Sequence, residues 1–445
     1  MWGLTRRQWL VVLAAWLGWG FDVFDAVLFN FVAPNVIPTL LGLKLGSPEA
    51  RAATLQWNGL LSALLLLVWA AGGVLFGYLA DRIGRVRALT WAIALYAVGT
   101  AACAAAPNLE TLIACRVVAS LGIGGEWAAG VTLVAESVPE HRRLQMAALL
   151  QTASPLGLFL ATFVTWFIAG HLMPDQPELS WRYVFLCGLA PVLVALGIRA
   201  LVQEPPGFVP APARSPWAGL RELLSPQWRR ATFSGFSMAV VGLLSWWSVN
   251  AFLPTVAVGL ANERAAMLGL TGAAVQQLAE GWKAQAGFWF NLGGLVGALL
   301  TVPLAHWLGR RSLFTVYYGF AAVAMVVVFG LPWVPEWRLM LVFWVGLSLY
   351  GVFAAFNFYL PELFPPRLRG LGAGFSYNIG RIFAALGPFA VGAYSAAQSQ
   401  PTAGALQALL CLAVMPLLAA VTSRFILETR GLPFVGTLPP PVGHA

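Results

Sequence analysis

Apolar stretches of about 20 residues, each long enough to cross a ~30 Å hydrocarbon core, recur from one end of this 445-residue chain to the other. That feature leaves few folds open. In lipid every backbone N–H and C=O must be satisfied within the protein, so segments of this kind cross as helices. The spans predicted are 9–33, 55–79, 88–106, 109–136, 145–169, 182–202, 231–260, 284–305, 312–333, 337–361, 370–396 and 404–426. The fold class is therefore all-α membrane protein with twelve transmembrane helices. Charged residues are 10% of the chain, against roughly 25% in soluble proteins. The missing charges are those of a surface that would face lipid rather than water.

A formal net charge of +9 would suit a polyanionic partner, but its distribution argues against nucleic acid. Lys and Arg concentrate in alternate loops, and the loops between them are nearly neutral. This is the positive-inside pattern, and it places both termini in the cytoplasm of a cell whose plasma membrane holds the chain. Cys103, Cys115, Cys187 and Cys411 fall within spans, where they are expected to be buried as small hydrophobes, with neither disulfide nor zinc spacing. The four histidines fall in loops or the tail, so no histidine relay is expected in the membrane. The first span follows Arg6 and Arg7, is too long for a signal-peptide core and has no prompt A-x-A-like site, so it is read as retained.

The chain repeats itself. Gly84-Arg85 returns as Gly309-Arg310, about 225 residues on. The pattern E-x-x-P-x-x-x-R occurs at Glu136, Pro139 and Arg143, and again at Glu362, Pro365 and Arg369; Glu204 is echoed by Glu428. Matches at one shared spacing, all in equivalent loops, indicate two duplicated halves. The organisation predicted is a half over 1–202, a Pro- and Arg-rich cytoplasmic linker over 203–230, a second half over 231–426 and a cytoplasmic tail over 427–445.

These motifs resemble the major facilitator superfamily over essentially the full chain. Gly77-Tyr-Leu-Ala-Asp81-Arg82-Ile-Gly84-Arg85 is similar to its signature loop between spans two and three. The second copy departs from it, with His306 and Trp307 in place of Asp and Arg. Arg116-Val-Val-Ala-Ser-Leu-Gly-Ile-Gly-Gly-Glu126-Trp127 resembles span four of metabolite:proton symporters. Pro361-Glu362-Leu-Phe-Pro365-Pro-Arg367-Leu-Arg369-Gly370 and Glu428-Thr-Arg-Gly are similar to segments of sugar porters. Asp22-Val-Phe24-Asp25 resembles the D-G-[FY]-D element of aromatic-acid:proton symporters, with Val23 in place of glycine. The resemblance implies two six-helix pseudo-repeats around a central cavity, a monomer, and a cytoplasmic gate. That gate would be built from Gly77, Asp81, Arg82, Gly84, Arg85, Glu136, Arg143, Glu204, Glu362, Arg369 and Glu428.

An ionisable group near the bilayer centre costs at least ~2.5 kcal/mol unless it is paired or hydrated. Asp22, Asp25, Arg116, Glu126 and Arg381 are the five read as intramembrane. Counting the helical rise from each span's midpoint puts Asp25 roughly 6 Å and Arg116 roughly 9 Å to the same side of the midplane, level within error. An ion pair between them is expected, and the resemblance implies the same pairing, as in sugar porters. Asp22 lies one turn from Asp25, and two close carboxylates resist double ionisation, which suits one of them to carrying a proton. Arg381 has two readings, a clamp for a carboxylate passenger or a partner for Asp22 or Glu126. Glu126 reads equally as a proton relay or as a packing residue.

Polar and aromatic residues of the spans supply the rest of the expected substrate site: Gln151, Asn250, Asn291, Asn357, Asn378, Tyr377 and Trp247, with Trp246 and Phe356 beside them. Asn250 sits one repeat after Asp25. No nucleotide-binding loop, metal constellation or nucleophile is visible, so neither an enzyme nor a cofactor is expected. The function predicted is proton-coupled symport of a small organic anion, with a carrier of neutral solutes or an exporter as alternatives. The partners expected are the bilayer, a small-molecule substrate and protons.

Overall fold

The computed structural model describes residues 4–139, 142–201 and 216–430. Glu204 lies outside them, as do the side chains of Asp81, Arg85, Glu126, Glu136, Arg143 and Arg367. Among the described residues there is helix and no strand.

Ten helical runs are long and apolar enough to cross a membrane. One of them, Ala273–Gly330, is 58 residues long. At 1.5 Å per residue that far exceeds one crossing, and it breaks at Gly309 (φ 79°, ψ 176°) into two. Leu109–Ser137, at 29 residues, completes twelve. In order they are α1 (Arg6–Leu40), α2 (Pro48–Ile83), α3 (Arg85–Cys103), α4 (Leu109–Ser137), α5 (143–172), α6 (177–201), α7 (Arg229–Met267), α8 (273–308), α9 (310–330), α10 (Pro335–Glu362), α11 (366–396) and α12 (401–425). A short helix, Pro216–Leu223, precedes α7. Twelve crossings return α12 to the face where α1 begins; this is called the terminal face, and its opposite the far face.

Local signals start the helices. Thr5 and Gln8 form a capping box ahead of α1. Ser47 caps α2 with Pro48 in its first turn, and Asn108 caps α4. Several helices run beyond the predicted spans, because the helical backbone continues after the apolar run has ended. The largest difference is at α8, which begins at 273 rather than 284 and so brings Glu280 and Lys283 inside the fold.

The duplication is visible in the backbone. Gly84 (φ 106°) joins α2 to α3 as Gly309 (φ 79°) joins α8 to α9, a left-handed turn that a Cβ would strain. A Cβ on Gly72 would strike the carbonyl of Leu121, and one on Gly297 the carbonyl of Leu347. Glycine at these positions lets α2 lie against α4 and α8 against α10 with backbones in contact. Of the four cysteines, Cys103 is buried; Cys115 and Cys187 are half-buried and Cys411 is exposed. The expectation that all four are buried fails because a span's outer face meets lipid rather than protein.

The two six-helix halves meet along α1, α2 and α5 on one side and α7, α8, α10, α11 and α12 on the other.

Candidate functional site

A narrow cavity lies on this seam. Trp19, Val23 and Ala26 of α1, Trp69 of α2 and Ser154 of α5 line it from the first half; Trp246 and Trp247 of α7, Phe353 of α10, and Tyr377 and Arg381 of α11 line it from the second. The rings make a continuous wall. Trp246 meets Trp247 edge to face at 4.8 Å, Trp69 meets Trp247 at 5.4 Å, and Trp246 meets Phe353 at 5.5 Å between centroids.

Arg381 is the cation of this wall, and it is 1% exposed. Its guanidinium carbon stands 4.1 Å from the centre of the Trp69 ring and 4.7 Å from that of Tyr377. Nη1 donates to Asn378 Oδ1 at 3.0 Å, and Nε has no hydrogen-bond partner. Stacking on aromatic faces orients the planar fork and leaves its edge available to an acceptor. Asp22, fully buried on α1, is close enough for electrostatic interaction with both Arg381 and Tyr377. Arg381, Asn378, Tyr377 and Trp247 thus come together, with Asp22 facing them from the other half.

Asp25 and Arg116 also meet, though not as a carboxylate–guanidinium pair. Arg116 donates from Nη1 to the main-chain oxygen of Asp25 (3.4 Å) and from Nη2 to that of Ala26 (3.3 Å). The Asp25 carboxylate instead accepts from Thr100 Oγ1 at 2.7 Å, and its other oxygen, Oδ1, has no hydrogen-bond partner. The reason is angular. Counting residues fixes height in the membrane but not the direction a side chain takes around its helix, and here Arg116 reaches the α1 backbone first.

The remaining predicted residues divide. Asn357 Nδ2 donates to Gln151 Oε1 at 2.8 Å, bridging the halves between α10 and α5. Asn291 accepts from the Tyr350 hydroxyl (3.3 Å). Asn250 is buried with both amide atoms unpartnered. None of these four lines the cavity. Phe356 stands behind it, 6.3 Å from the Tyr377 ring. Sequence reasoning passed over Trp19, Trp69, Ser154 and Phe353. A signal existed for the tryptophans: Trp prefers the membrane interfaces, so an indole in mid-span is out of place unless it lines something.

The reading of Asp22, Asp25, Arg116, Glu126 and Arg381 as the five intramembrane charges also needs correction. Glu280 and Lys283, each 1% exposed, form an ion pair of 2.7 Å on α8. Two charges one turn apart end an apolar run, so both were left in a loop.

At the terminal face, Arg310 donates to both oxygens of Glu362, from Nη2 at 2.6 Å and Nε at 3.0 Å. Glu428 accepts the backbone N–H groups of Arg310 (2.9 Å), Arg311 (3.0 Å) and Arg430 (2.9 Å). Burial pushes its carboxyl up, but these three donors and the Arg310 charge outweigh it, and the group sits below its ordinary range. The second copy of the signature loop therefore has an ionic latch despite lacking Asp and Arg at 306 and 307. Arg369 Nε donates to the Pro361 carbonyl (3.2 Å), Arg82 lies over the Tyr78 ring (4.4 Å), and Gly77 meets open space. The first-half counterparts Asp81, Arg85, Glu136, Arg143 and Glu204 lie outside the described side chains, as does Glu126.

Comparison with known proteins agrees with this fold. The chain is 31% identical over 384 residues to a probable 4-methylmuconolactone transporter of Cupriavidus pinatubonensis, covering 86% of this chain and 82% of that one. It is 29% identical over 386 residues to a cis,cis-muconate transport protein of Acinetobacter baylyi, covering 82% and 86%. A gentisate transporter of Corynebacterium glutamicum is 24% identical over 391 residues, covering 87% and 81%. In fold it is similar to the crystal structure of a D-xylose-proton symporter, with a TM-score of 0.74 at 18% identity over 96% of this chain and 99% of that one. The family model described as Major Facilitator Superfamily matches residues 9–388, so the chain belongs to the Major Facilitator Superfamily and is a membrane transporter, not an enzyme.

Proposed function

We propose that the chain is a proton-coupled symporter of a small organic anion, a carboxylate, working by alternating access around the cavity on the seam. The observation that carries this reading is Arg381: a buried guanidinium on the cavity wall, stacked on Trp69 and Tyr377, with Nε lacking a hydrogen-bond partner. A charge in that position is costly unless an anion lies near it, and a passenger carboxylate can take over that part from Asp22. The aromatic wall favours a flat or unsaturated passenger, and relatives matched along most of their length are named for muconate, 4-methylmuconolactone and gentisate.

Coupling follows from competition. In the empty cavity Asp22 supplies negative charge near Arg381. A passenger carboxylate that takes the guanidinium leaves Asp22 with less cationic field, and a proton then neutralises it. Asp25, with one oxygen held by Thr100 and the other unpartnered, is the second protonable position on the same helix, and coupling requires both carboxylates. Proton and anion enter together because each makes the other's burial cheaper. The basic loops favour a terminal face on the cytoplasmic side of the plasma membrane, and in that orientation an inward proton gradient drives uptake.

Reconstituted protein under an imposed pH gradient tests the assignment with a panel of aromatic acids, short hydroxy acids and hexoses. Arg381→Ala should reduce anion uptake about a hundredfold, the scale of losing hydrogen bonds to a charged group. Undiminished anion uptake in that variant, or hexose uptake by the wild type without anion uptake, overturns the reading.

A further inference from the structure

We infer that Asn58 and Lys283 are a repeat-related pair of clasps that close the two halves on the far face, and that both must release before a passenger passes through that face. The claim concerns the transport cycle and not the passenger.

Asn58 Nδ2 on α2 donates to the main-chain oxygen of Ala251 on α7 at 2.5 Å. Lys283 Nζ on α8 donates to the main-chain oxygen of Phe31 on α1 at 2.6 Å. Positions 58 and 283 are separated by the same spacing as Gly84 and Gly309. Each is ten residues into its helix from the far-face end, so both clasps lie roughly 15 Å below that end. Each half thus sends one donor from its second helix to the first helix of the other half.

The acceptors share a local setting, though they are 220 residues apart and so not at repeat-equivalent positions. Phe31 lies three residues before Pro34, and Ala251 three residues before Pro254, both prolines within helix. A proline ring opens the helix locally, and a carbonyl has a second lone pair to offer a side chain from outside. A main-chain acceptor also lets each clasp break without stranding a carboxylate on the acceptor side.

The two donors differ in charge, and the surroundings of Lys283 account for that difference. Its ammonium is paired with Glu280 on its own helix at 2.7 Å. Glu280 Oε1 also accepts from Gln276 at 3.0 Å and, across the seam, from Asn35 of α1 at 3.3 Å. When α1 moves away, Lys283 keeps its counter-ion, so release costs hydrogen bonds rather than an isolated buried charge. Asn58 needs no such partner.

The test uses the full chain in lipid nanodiscs, with the four native cysteines replaced and one cysteine introduced by Thr54→Cys in the cleft between α1, α2 and α7. The rate of modification by a methanethiosulfonate reagent reports opening and requires no substrate. Asn58→Ala should raise that rate about three- to tenfold, as should Glu280→Gln with Lys283→Met, each removing a buried hydrogen bond without leaving a lone charge. Combined, the effects should multiply. Rates within about twofold of the parent in monodisperse variants, on that same scale, overturn the proposal. If the variants do not fold, Asn58→Cys with Ala251→Cys in the same background gives a second measurement. The disulfide should slow amide exchange at the far-face end of α7 reversibly with dithiothreitol, and unchanged exchange overturns the proposal equally.

Discussion

The two halves share a scaffold and divide the chemistry. Gly84 and Gly309 turn the same corner, and Gly72 and Gly297 admit the same close crossing of backbones. The buried charges do not repeat. Among the described side chains the first half carries Asp22, Asp25 and Arg116; the second carries Arg381, the Glu280–Lys283 pair and Arg338, with Asn250 at the position that repeats Asp25. Residues equivalent to Thr100 and Arg116 are Met325 and Leu341. Backbone geometry needs the same residue types twice, because both halves must pack and hinge alike. Proton binding and anion binding need different groups facing one another, and a cavity on the seam allows each half to supply one.

Asp25→Asn should break that division most completely. The variant keeps the side chain's shape and an acceptor for Thr100 but cannot bind a proton. Reconstituted protein should lose gradient-driven accumulation altogether and retain exchange of labelled for unlabelled passenger. Adding Asn250→Asp should not restore accumulation, since Met325 and Leu341 offer that site neither hydroxyl nor cation. Recovery in the double variant would show that either half can host the proton and that the asymmetry is incidental.

A smaller effect is expected on the cation's side. Trp69 belongs to the first half yet stacks on Arg381 of the second. A desolvated cation–π contact is worth about 2 kcal/mol, or some thirtyfold, part of which Tyr377 retains from the other face. Trp69→Leu should therefore weaken anion binding about tenfold by isothermal titration, with Trp69→Phe in between. Equal affinity in all three proteins would mean that the first half takes no part in orienting the guanidinium.

The difference between the halves also decides what was legible in the sequence. The twelve crossings follow from the apolar runs, and the duplication follows from motifs repeating at one spacing. Arg381 stood out because it interrupts an apolar run alone. Glu280 and Lys283 did not, because two neighbouring charges look like the end of a span, although their spacing of one helical turn is that of an internal pair. Asp25 and Arg116 were placed at the right height with the wrong contact, since the turn of each side chain around its helix depends on neighbours far away in the chain. The cavity's aromatic wall depends on the seam itself, to which helices of both halves contribute, and no local pattern encodes it.

The smallest effect concerns the latch at the terminal face. Glu428 gathers the first two backbone N–H groups of α9 and that of Arg430 in its own segment, beside the Arg310–Glu362 pair. An anion there satisfies donors that a helix start leaves unpaired. Its folded-state pKa lies below the ordinary 4.5, so the docked tail adds stability that is fully present above that value and is lost as pH falls through the folded one. Glu428→Gln removes the titration and weakens the acceptor. The group is half-exposed, and solvent screening keeps the effect modest. In thermal melts from pH 7 downward, the variant should start slightly below the wild type and converge with it at the acid end. A constant gap across the range would show that the carboxylate's charge is not what holds the tail, and that hydrogen bonding by an uncharged oxygen at this helix start suffices.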